Sequence, residues 1–474
     1  MQQNPSPPSD PSWWLTEALA HEGNPAPAPT LRGKVIADVA VIGGGFTGLW
    51  TALALKERAP TLNVVLIEAA ICGAGASGKN GGKVHGYWAS LPGMIANLGA
   101  DAALAIARAG TRAQDGIRAF ATGPGRDVWW REAGNLRVSA SPAQDAKIAT
   151  HMAAVSRLGV SETARALSAS EVADELRSPA FRGGIMMSEG ANVQPARLAR
   201  ALRKAALEAG VVIHENTRMT GLDGGSPNRV RLEGGEIIAR DVVLATNIGL
   251  ASDRDIRRFV TVFSSYALMT DPNPEALERM GWRSEVGLSD LRMFVHYFRK
   301  TPDGRMLMGS GSGPISFNGD ITTAALTTDV ASGLRAWRGL RRLVPELAET
   351  PVAKTWGGGI DICSDRLPVF RTRAGCRVHY AIGYSGHGVN PTYIGGQCLA
   401  SLVLGESDYW RNLPFCTREV PSLPPEPFRT FGGRVVRKGI IACEEAEEEG
   451  RRAGFQSRAT AAIPKIFGLK IGTR

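Results

Sequence analysis

The sequence predicts an α/β fold, because its first structured segment alternates strand, helix and strand. Residues 37–42 are short, apolar and β-branched, as the buried strands of parallel sheets are. Residues 45–58 place Phe46 and Leu49 on one side of a predicted helix. Residues 63–67 form a second apolar run. Because parallel strands need a crossover between them, the three segments together predict a βαβ unit.

Strand and helix patterns continue to about residue 416. Helical spacing of apolar residues predicts helices over 94–121, 143–158, 195–209 and 326–347. Apolar runs predict strands over 128–138, 211–213, 242–245 and 378–382, with a β-rich stretch over 258–312. The sequence therefore predicts further α/β units together with a region dominated by strands.

The two ends of the chain differ in composition from the rest. Residues 1–30 are rich in proline and predict an extended N-terminal arm, which Trp13, Trp14 and Leu15 attach to the body. After residue 416 the strand–helix pattern stops, and we expect a C-terminal extension over 417–474. Within this extension, a proline-rich linker precedes an acidic helix over 443–452.

Length, charge and cysteine usage limit the class of protein. A chain of 474 residues exceeds what one hydrophobic core supports, which predicts two domains or one domain interrupted by another. The net charge is +10, but the basic residues are scattered, so a nucleic-acid partner is not expected. The six cysteines show neither metal-ligand nor disulfide spacing, which favours a reducing compartment and no metal. Without a signal peptide or an apolar window of about 18 residues, we expect a cytoplasmic protein with no membrane span.

The turn after the first strand carries the motif Gly-Gly-Gly-Phe-Thr-Gly at residues 43–48. Glycines at this spacing allow a tight turn, close approach of a pyrophosphate and close packing of helix on strand, as in Rossmann-type dinucleotide sites. The N–H groups that open the helix attract phosphate. Glu68 follows the second strand, where a carboxylate accepts hydrogen bonds from a ribose and argues against NADP. The residues predicted to contact the dinucleotide here are Gly43, Gly45, Phe46, Thr47, Gly48 and Glu68.

Three further segments favour FAD over NAD. Residues 73–82 are small enough to lie along an extended dinucleotide, with Ser77 and Asn80 as hydrogen-bonding groups. Residues 241–247 form a buried strand that ends in a small polar turn. Residues 383–388 are a second glycine cluster before a helix, whose N-terminus would lie where a flavin gains negative charge on reduction. Each segment alone is also compatible with an ordinary turn, and the first glycine motif alone leaves NAD open.

Together these motifs resemble those of the glycine/D-amino-acid oxidase (DAO) superfamily of FAD-dependent amine oxidoreductases. The resemblance covers about residues 13–428 and is closest to the gamma-glutamylputrescine oxidoreductase branch. It is carried by three stretches whose order and spacing match the family: Ala-Asp-Val-Ala-Val-Ile-Gly at 37–43, Gly-Ala-Ser-Gly-Lys-Asn-Gly-Gly at 75–82 and Gly-Tyr-Ser-Gly-His-Gly-Val at 383–389.

The resemblance implies a Rossmann-type FAD-binding domain built from discontinuous segments, plus an α+β substrate domain with a mostly antiparallel sheet. The segments that we expect to form the FAD-binding domain are 31–95, 191–260 and 353–416. The insertions that we expect to form the substrate domain are 96–190 and 261–352.

The resemblance also implies which residues hold FAD. Glu68 is expected to bind the adenosine ribose and Met219 to contact adenine through its backbone. Gly358 stands where sarcosine oxidases carry the flavin-linked cysteine, so non-covalent FAD is expected, although Cys363 lies nearby in the sequence. The remaining predicted cofactor contacts are Ala76, Ser77, Asn80, Gly81, Gly82, Thr246, Asn247, Gly386 and Gly388.

Candidate pocket residues follow from the same placement. In the family, hydride passes from the carbon beside a neutral amine to flavin N5, and water hydrolyses the imine. His85 and Tyr87 follow the small-residue loop, His387 lies in the second glycine cluster, and Tyr297 lies on a predicted strand of the substrate sheet. We take His85, Tyr297 and His387 as the candidate catalytic residues, while His296 is more often expected to be a core residue.

The chain departs from the family pattern around the expected substrate. Leu307 stands where sarcosine-oxidase-like relatives carry a lysine that promotes reaction with oxygen, so the electron acceptor is oxygen or another molecule. Gly86 and Asn390 stand where those relatives grip a substrate carboxylate, which favours an amine or a substrate charged farther away. Arg292 and Arg299 are candidates to bind an anionic substrate group, or else are solvated side chains.

The main functional hypothesis is therefore a FAD-dependent amine oxidase or dehydrogenase acting on a small amine or amino-acid-like substrate. Three alternatives remain at this point: an NAD-dependent dehydrogenase, a flavoprotein that acts on a modified nucleoside in RNA, and a flavin-binding protein without turnover.

Overall fold

The computed structural model describes residues 11–466, which form two eight-stranded sheets and a small three-stranded one, surrounded by helices. The helices are α1 (Trp13–His21), α2 (Phe46–Arg58), α3 (Leu91–Leu98), α4 (Ala100–Ala121), α5 (Pro142–Arg157), α6 (Ala169–Glu175), α7 (Pro195–Glu208), α8 (Pro274–Arg279), α9 (Val330–Leu343), α10 (Val389–Leu404), α11 (Pro414–Thr417), α12 (Phe428–Glu448) and α13 (Phe455–Ile466). The strands are β1 (Gly33–Ile42), β2 (Val64–Ile67), β3 (Lys83–Val84), β4 (Arg131–Glu132), β5 (Asn135–Ser139), β6 (Ala164–Ser168), β7 (Gly183–Met187), β8 (Ala191–Asn192), β9 (Val212–His214), β10 (Met219–Asp223), β11 (Asn228–Leu232), β12 (Gly235–Leu244), β13 (Val260–Thr270), β14 (Gly287–Asp290), β15 (His296–Lys300), β16 (Met306–Ser310), β17 (Val352–Cys363), β18 (Val369–Thr372) and β19 (Val378–Ile382).

The first sheet is built around β1, which pairs in parallel with β12 on one side and with β2 on the other. Strand β9 continues the parallel sheet beside β2, and β19 pairs in parallel with the C-terminal part of β12. Strands β10, β11 and β18 add antiparallel neighbours. Parallel strands end at one edge of a sheet, so the turns after β1, β2, β12 and β19 lie along that edge. The predicted α/β class and the initial βαβ unit are confirmed.

Helices α2, α7 and α10 lie on one face of this sheet. They approach closely, since Gly396 in α10 packs on the backbone and Cβ of Trp50 in α2, where a side chain on Gly396 would not fit. Buried residues such as Leu49 and Leu202 fill this side of the core. The other face packs against buried residues that include Val262 and Leu326. The sheet is therefore covered on both sides, as parallel sheets require.

The second sheet has the order β17-β13-β16-β15-β14-β5-β7-β6 and is antiparallel except where β14 pairs with β5. Helix α9 lies on it, and the buried side chains of Leu340 and Phe298 belong to one core beneath the helix. The mostly antiparallel sheet expected for the second domain is thus present. The expected boundary between residues 352 and 353 falls at the start of β17, which pairs with β13 along its whole length.

The prediction of an extended arm over residues 1–30 is wrong for Trp13–His21, which form α1. The side chain of Ser12 caps this helix by accepting a hydrogen bond from the Leu15 N–H group at 3.1 Å. Trp14 and Leu15 are buried, so the expected attachment of this segment to the body is confirmed. Burial of the apolar residues at helical spacing outweighs the proline-rich composition around them.

Two predicted helices begin and end at residues other than those found in the structure. The helix expected over 94–121 is two helices, α3 and α4, because Gly99 between them has a φ of +85°, which a helix does not allow. The acidic helix expected over 443–452 is the C-terminal part of α12, which starts much earlier, at Phe428. The first half of α12 is basic, so the acidic composition that indicated a helix marks only its C-terminal part.

The C-terminal extension packs on the second sheet. Helices α12 and α13 contact each other, and the Arg437 guanidinium in α12 donates to the carbonyl oxygen of Ser312 at 3.1 Å. Glu444 and Glu448 of α12 form ion pairs with Arg292. All six cysteines are free thiols. Between residues 11 and 466, no helix combines the length and the apolar character that crossing a bilayer requires.

Candidate active site

The first glycine turn is packed so tightly that side chains are excluded from it. Gly43 has a φ of +115°, and a Cβ on it would lie 2.6 Å from the carbonyl oxygen of Ala245, which follows β12. A Cβ on Gly44 would lie 2.5 Å from the Cys72 sulfur. A Cβ on Gly48 would overlap the carbonyl oxygen of Gly43. The backbone is therefore bare at the start of α2, as a pyrophosphate-binding turn requires.

The small-residue loop meets this turn at the N-terminus of α2. The hydroxyl group of Ser77 accepts a hydrogen bond from the Phe46 N–H group at 2.8 Å, and a Cβ on Gly45 would lie 2.9 Å from the same oxygen. Thr47, one residue further along α2, shares a buried hydrogen bond of 2.7 Å with the hydroxyl group of Tyr384. Three motifs that are distant in the sequence thus come together at one helix end, as predicted.

Glu68 lies at the end of β2, half-buried. Its carboxylate accepts hydrogen bonds from the Gly44 N–H group at 2.8 Å and the Ala70 N–H group at 2.9 Å. The Thr217 N–H group donates to the Glu68 carbonyl oxygen at 2.8 Å, which holds the segment before Met219 beside this edge. The carboxylate is therefore fixed next to the glycine turn. Its role in ribose binding, and the contact of Met219 with adenine, stay predictions.

Asn80 holds the small-residue loop together. Its amide group donates to the Ala76 and Ser77 carbonyl oxygens at 3.1 and 2.8 Å, and its side-chain oxygen accepts the Gly82 N–H group at 2.7 Å. These bonds use both ends of the side chain within the loop. The structure thus gives Asn80 a part in shaping the loop, in addition to the predicted contact with the cofactor.

The turn after β12 lies against the first glycine turn. Thr246 and Asn247 follow Ala245, whose carbonyl oxygen packs on Gly43. Asn247 has a φ of +49°, and its side-chain oxygen is buried with no hydrogen-bond donor in the described part of the chain. A buried acceptor without a donor is costly, so this atom is suited to a donor from a bound molecule.

The second glycine cluster follows β19 and is supported by a residue that the sequence did not indicate. Gly383 has a φ of +87° and packs on the sulfur of Cys363, and its N–H group donates to the carboxylate of Asp361. Asp361 is fully buried on β17, and this burial raises the pKa of its carboxyl group to about 6. Gly388 begins α10 with open space where a Cβ would lie. Asp361 is a single acidic residue in a glycine-rich strand, so no motif in the sequence indicated its contact with Gly383.

His85 and His387 lie together beside this cluster. Their rings are stacked with centroids 4.4 Å apart, and the Nε2 atom of His387 lies 2.8 Å from the His85 carbonyl oxygen. Gly386, before His387, has a φ of +74° and is exposed. Tyr87 is buried with its ring 4.9 Å from that of His387. The structure therefore brings two of the three candidate catalytic residues into direct contact.

Tyr297, the third candidate, lies on β15 and faces the small-residue loop. A Cβ on Gly81 would lie 2.8 Å from the Tyr297 ring and 3.6 Å from the side chain of Leu307 on β16. The Tyr297 hydroxyl group lies 3.2 Å from the hydroxyl group of Ser265 on β13. The antiparallel sheet therefore presents an aromatic and an apolar side chain to the predicted cofactor path.

His296 and Arg292 lie elsewhere. His296 is buried on the opposite face of β15, where its Nδ1 atom lies 2.8 Å from a carboxylate oxygen of Asp290. Arg292 is bound by Glu444 and Glu448 of α12, so the hypothesis that it grips a substrate is wrong. Glu448 also lies within metal-ligand distance of Asp290 and His296, but its carboxylate is already held by guanidinium groups.

Gly86 and Asn390, where the family pattern predicted residues that bind a substrate carboxylate, are tightly packed. A Cβ on Gly86 would lie 2.9 Å from the backbone of Gly110 and 2.5 Å from a carboxylate oxygen of Glu189. Glu189 accepts the Gly86 N–H group at 2.8 Å, and burial raises its pKa. The Asn390 amide group donates to the Gly110 carbonyl oxygen at 2.9 Å. Sequence reasoning missed Glu189, since no motif surrounds it.

The residues present fit a bound dinucleotide of the FAD type. The fit rests on the bare backbone of the first turn, the buried oxygen of Asn247 and the open space at Gly388. A Rossmann-type sheet with this turn, covered by an antiparallel sheet from the same chain, defines a class of two-domain flavoprotein.

Comparison with known proteins agrees. Residues 38–402 match the family model DAO, described as FAD dependent oxidoreductase. The chain is 28% identical over 420 residues to gamma-glutamylputrescine oxidoreductase of Escherichia coli (strain K12), covering 88% of this chain and 93% of that protein. The fold matches glycine oxidase from Geobacillus kaustophilus (TM-score 0.65, 19% identity, 82% of this chain and 100% of that one). It also matches L-proline dehydrogenase from P. horikoshii (TM-score 0.63, 19% identity, 82% and 96%).

This chain belongs to the DAO family of FAD-dependent oxidoreductases. It is therefore an enzyme whose cofactor is FAD, and the resemblance found in the sequence is confirmed.

Proposed function

We propose that this enzyme oxidises the carbon–nitrogen bond of a small amine or amino acid to an imine, which water hydrolyses to an aldehyde or keto product. One observation carries the proposal: Tyr297 and Leu307, on neighbouring strands of the second sheet, lie against Gly81 on the predicted cofactor path. A substrate held between this sheet and the loop would have its reacting carbon beside the cofactor.

Bound FAD supplies the acceptor for the hydride that leaves the carbon beside nitrogen. The amine also loses one N–H proton to a base, and addition of water to the imine releases ammonia or the amine fragment. The chain's own residues position the substrate, exclude water during hydride transfer, and bind and transfer this proton. Tyr297, fixed by Ser265, supplies an aromatic wall with a hydroxyl group at its end.

His387 and His85 are proposed to bind and transfer the proton that the amine loses. A carbonyl oxygen only accepts hydrogen bonds, so the His387 Nε2 atom, 2.8 Å from the His85 carbonyl oxygen, carries the proton. The Nδ1 atom of the neutral ring is then an acceptor. We propose that this pair keeps the substrate amine in its neutral form, which hydride transfer from the adjacent carbon requires.

The substrate class follows from charge. Gly86 and Asn390 are both uncharged, and the carboxylate of Glu189 lies beside Gly86. This arrangement favours a substrate with an amine, rather than a carboxylate, at that end. A relative named gamma-glutamylputrescine oxidoreductase supports a gamma-glutamyl amine or polyamine as the first compounds to test.

The electron acceptor is proposed to be a molecule other than oxygen, because apolar Leu307 faces Gly81. A cation beside the flavin would stabilise the negative charge that oxygen gains when it is reduced. Leu307→Lys is therefore expected to speed reoxidation of the reduced enzyme by oxygen about tenfold. Stopped-flow absorbance measures this rate, with Leu307→Met as the uncharged control. Equal rates in both variants would contradict the assignment.

Anaerobic titration of the yellow holoenzyme tests the activity. We expect loss of flavin absorbance with at least one compound from a panel of polyamines, gamma-glutamyl amines and N-methyl amino acids. We expect the carbonyl product to form in equal amount to the flavin reduced. Dithionite serves as the control for a reducible flavin. Bleaching by dithionite, but by no member of the panel, would argue against amine oxidation.

A further inference from the structure

Arg299 is a buried cation without an anionic partner. It lies on β15 with 2% of its surface exposed, and among residues 11–466 no carboxylate oxygen lies within ion-pair distance of its guanidinium group. Its Nη2 atom donates to the Val193 carbonyl oxygen at 2.6 Å, while Nε has no acceptor. By contrast, the buried guanidinium groups of Arg292 and Arg418 are each paired with a carboxylate.

The surroundings of Arg299 keep it in place and dry. The indole ring of Trp14, from α1, covers the guanidinium group with its centroid 4.9 Å away. Burial lowers the pKa of Arg299 to about 9, so the side chain still carries its charge at neutral pH. Glu285, which acts on it from a distance, is paired with Lys300 at 3.4 Å. Isolated buried charges are costly, so a nearby anion would lower the free energy of this site.

The position of Arg299 indicates where that anion lies. A Cβ on Gly82 would be 3.0 Å from the Arg299 Nη2 atom, so the guanidinium group touches the end of the small-residue loop. Ser77, earlier in that loop, meets the N-terminus of α2, where the pyrophosphate is predicted to bind. Arg299 therefore lies further along the cofactor path, on the side of Gly81 and Tyr297, where the flavin ring is predicted.

We propose that Arg299 is a positioning residue for the cofactor, whose charge is balanced by the negative charge that the flavin gains on reduction. The side chain thereby favours reduced over oxidised FAD. This replaces the hypothesis that Arg299 grips a substrate. The inference rests on the cofactor path used in the proposed function, but needs no amine substrate.

The test compares the two-electron midpoint potential of the holoenzyme with that of Arg299→Met, measured by dye equilibration without substrate. We expect the variant to bind reduced FAD about tenfold more weakly relative to oxidised FAD, which lowers the potential by about 30 mV. Arg299→Lys, which keeps the charge, should retain most of the original potential. Arg299→Gln keeps a donor for the Val193 carbonyl oxygen and replaces the methionine variant if that variant does not fold.

Arg292→Met is the matched control, because it removes another buried arginine that is already paired. It should lower stability by removing the guanidinium partner of Glu444 and leaving Glu448 paired with Arg342 alone, yet leave the potential unchanged. An unchanged potential in the neutral Arg299 variants would overturn the inference. Equal weakening of oxidised and reduced FAD, measured by fluorescence titration, would also overturn it and assign the charge to the pyrophosphate. These measurements do not depend on amine oxidation. If no amine of the panel reduces the flavin, the midpoint potential and the FAD affinities still test the role of Arg299.

Discussion

The two glycine turns of the cofactor domain are supported in different ways. In the turn at 43–48, side chains are excluded by Gly43 itself, by Cys72 and Ser77 in the segment after the βαβ unit, and by the Ala245 carbonyl oxygen at the end of the adjacent strand. In the turn at 383–388, Gly383 is closely packed and Gly388 faces open space, and Gly383 is held by Asp361 and Cys363 from β17 of the other sheet.

The two turns therefore differ in how far along the chain the residues that support them lie. The first turn is packed mainly by residues 43–77, so most of its geometry follows from one stretch of sequence. The second turn depends on a strand that also belongs to the antiparallel sheet, so the geometry there couples the two halves of the molecule. The first turn should therefore respond to steric changes, and the second to changes in charge and to the presence of FAD.

The largest effect is expected from Gly48→Ala, since a methyl group there would overlap the Gly43 carbonyl oxygen. We expect about 3 kcal/mol of lost stability together with loss of FAD binding. Urea unfolding and flavin content of the purified protein measure these effects. Gly432→Ala in α12, where a methyl group meets nothing within 4 Å, is the control and should be neutral or slightly stabilising. A stable, yellow Gly48→Ala protein would show that the first turn is not fixed by packing.

A change of intermediate size is expected from Asp361→Asn. The pKa of Asp361 is raised from 3.8 to about 6, so the folded state holds a proton that the unfolded state releases between these values. Stability of the original protein should therefore fall as pH rises from about 4 to 7, by on the order of 2 kcal/mol from this group. The asparagine variant should lack this component in urea unfolding at pH 4.5 and 7.5. The same pH dependence in both proteins would contradict the coupling of the second turn to a buried acid.

The smallest effect on the protein alone is expected from Gly388→Ala. A methyl group at this position enters open space, so stability without FAD should stay within about 0.5 kcal/mol. If the space is filled by the flavin, the methyl group should weaken FAD binding by about tenfold, or 1.4 kcal/mol. Fluorescence titration of the apoprotein measures the affinity. Unchanged affinity would show that the cofactor does not approach α10 at this point.

The sequence predicted those parts of the fold and site that depend on short motifs. The βαβ unit, the glycine turn and the meeting of Ser77 with α2 follow from local patterns of strand, glycine and small residues. The helix α1 could not be predicted, because its burial depends on contacts of Trp14 with residues far along the chain. Asp361 gave no signal either, and the sequence alone did not separate Arg299 from Arg292 as a candidate to bind an anion, since the surroundings of a charged residue in a strand depend on its neighbours in the sheet.

The sheet order has a consequence for how the protein is made. Strand β1 lies in the middle of its sheet, but its partner β12 ends only at residue 244, and β19 follows at residues 378–382. On the ribosome, the apolar run of β1 thus emerges long before the partner that flanks it. Strand β2 can pair with β1 early, but the β12 side of β1 stays open until residue 244 has been made, and an open apolar edge of this kind is prone to aggregation. Because the second glycine turn follows β19, we expect FAD to bind late in synthesis, after the last strand of the sheet has been made.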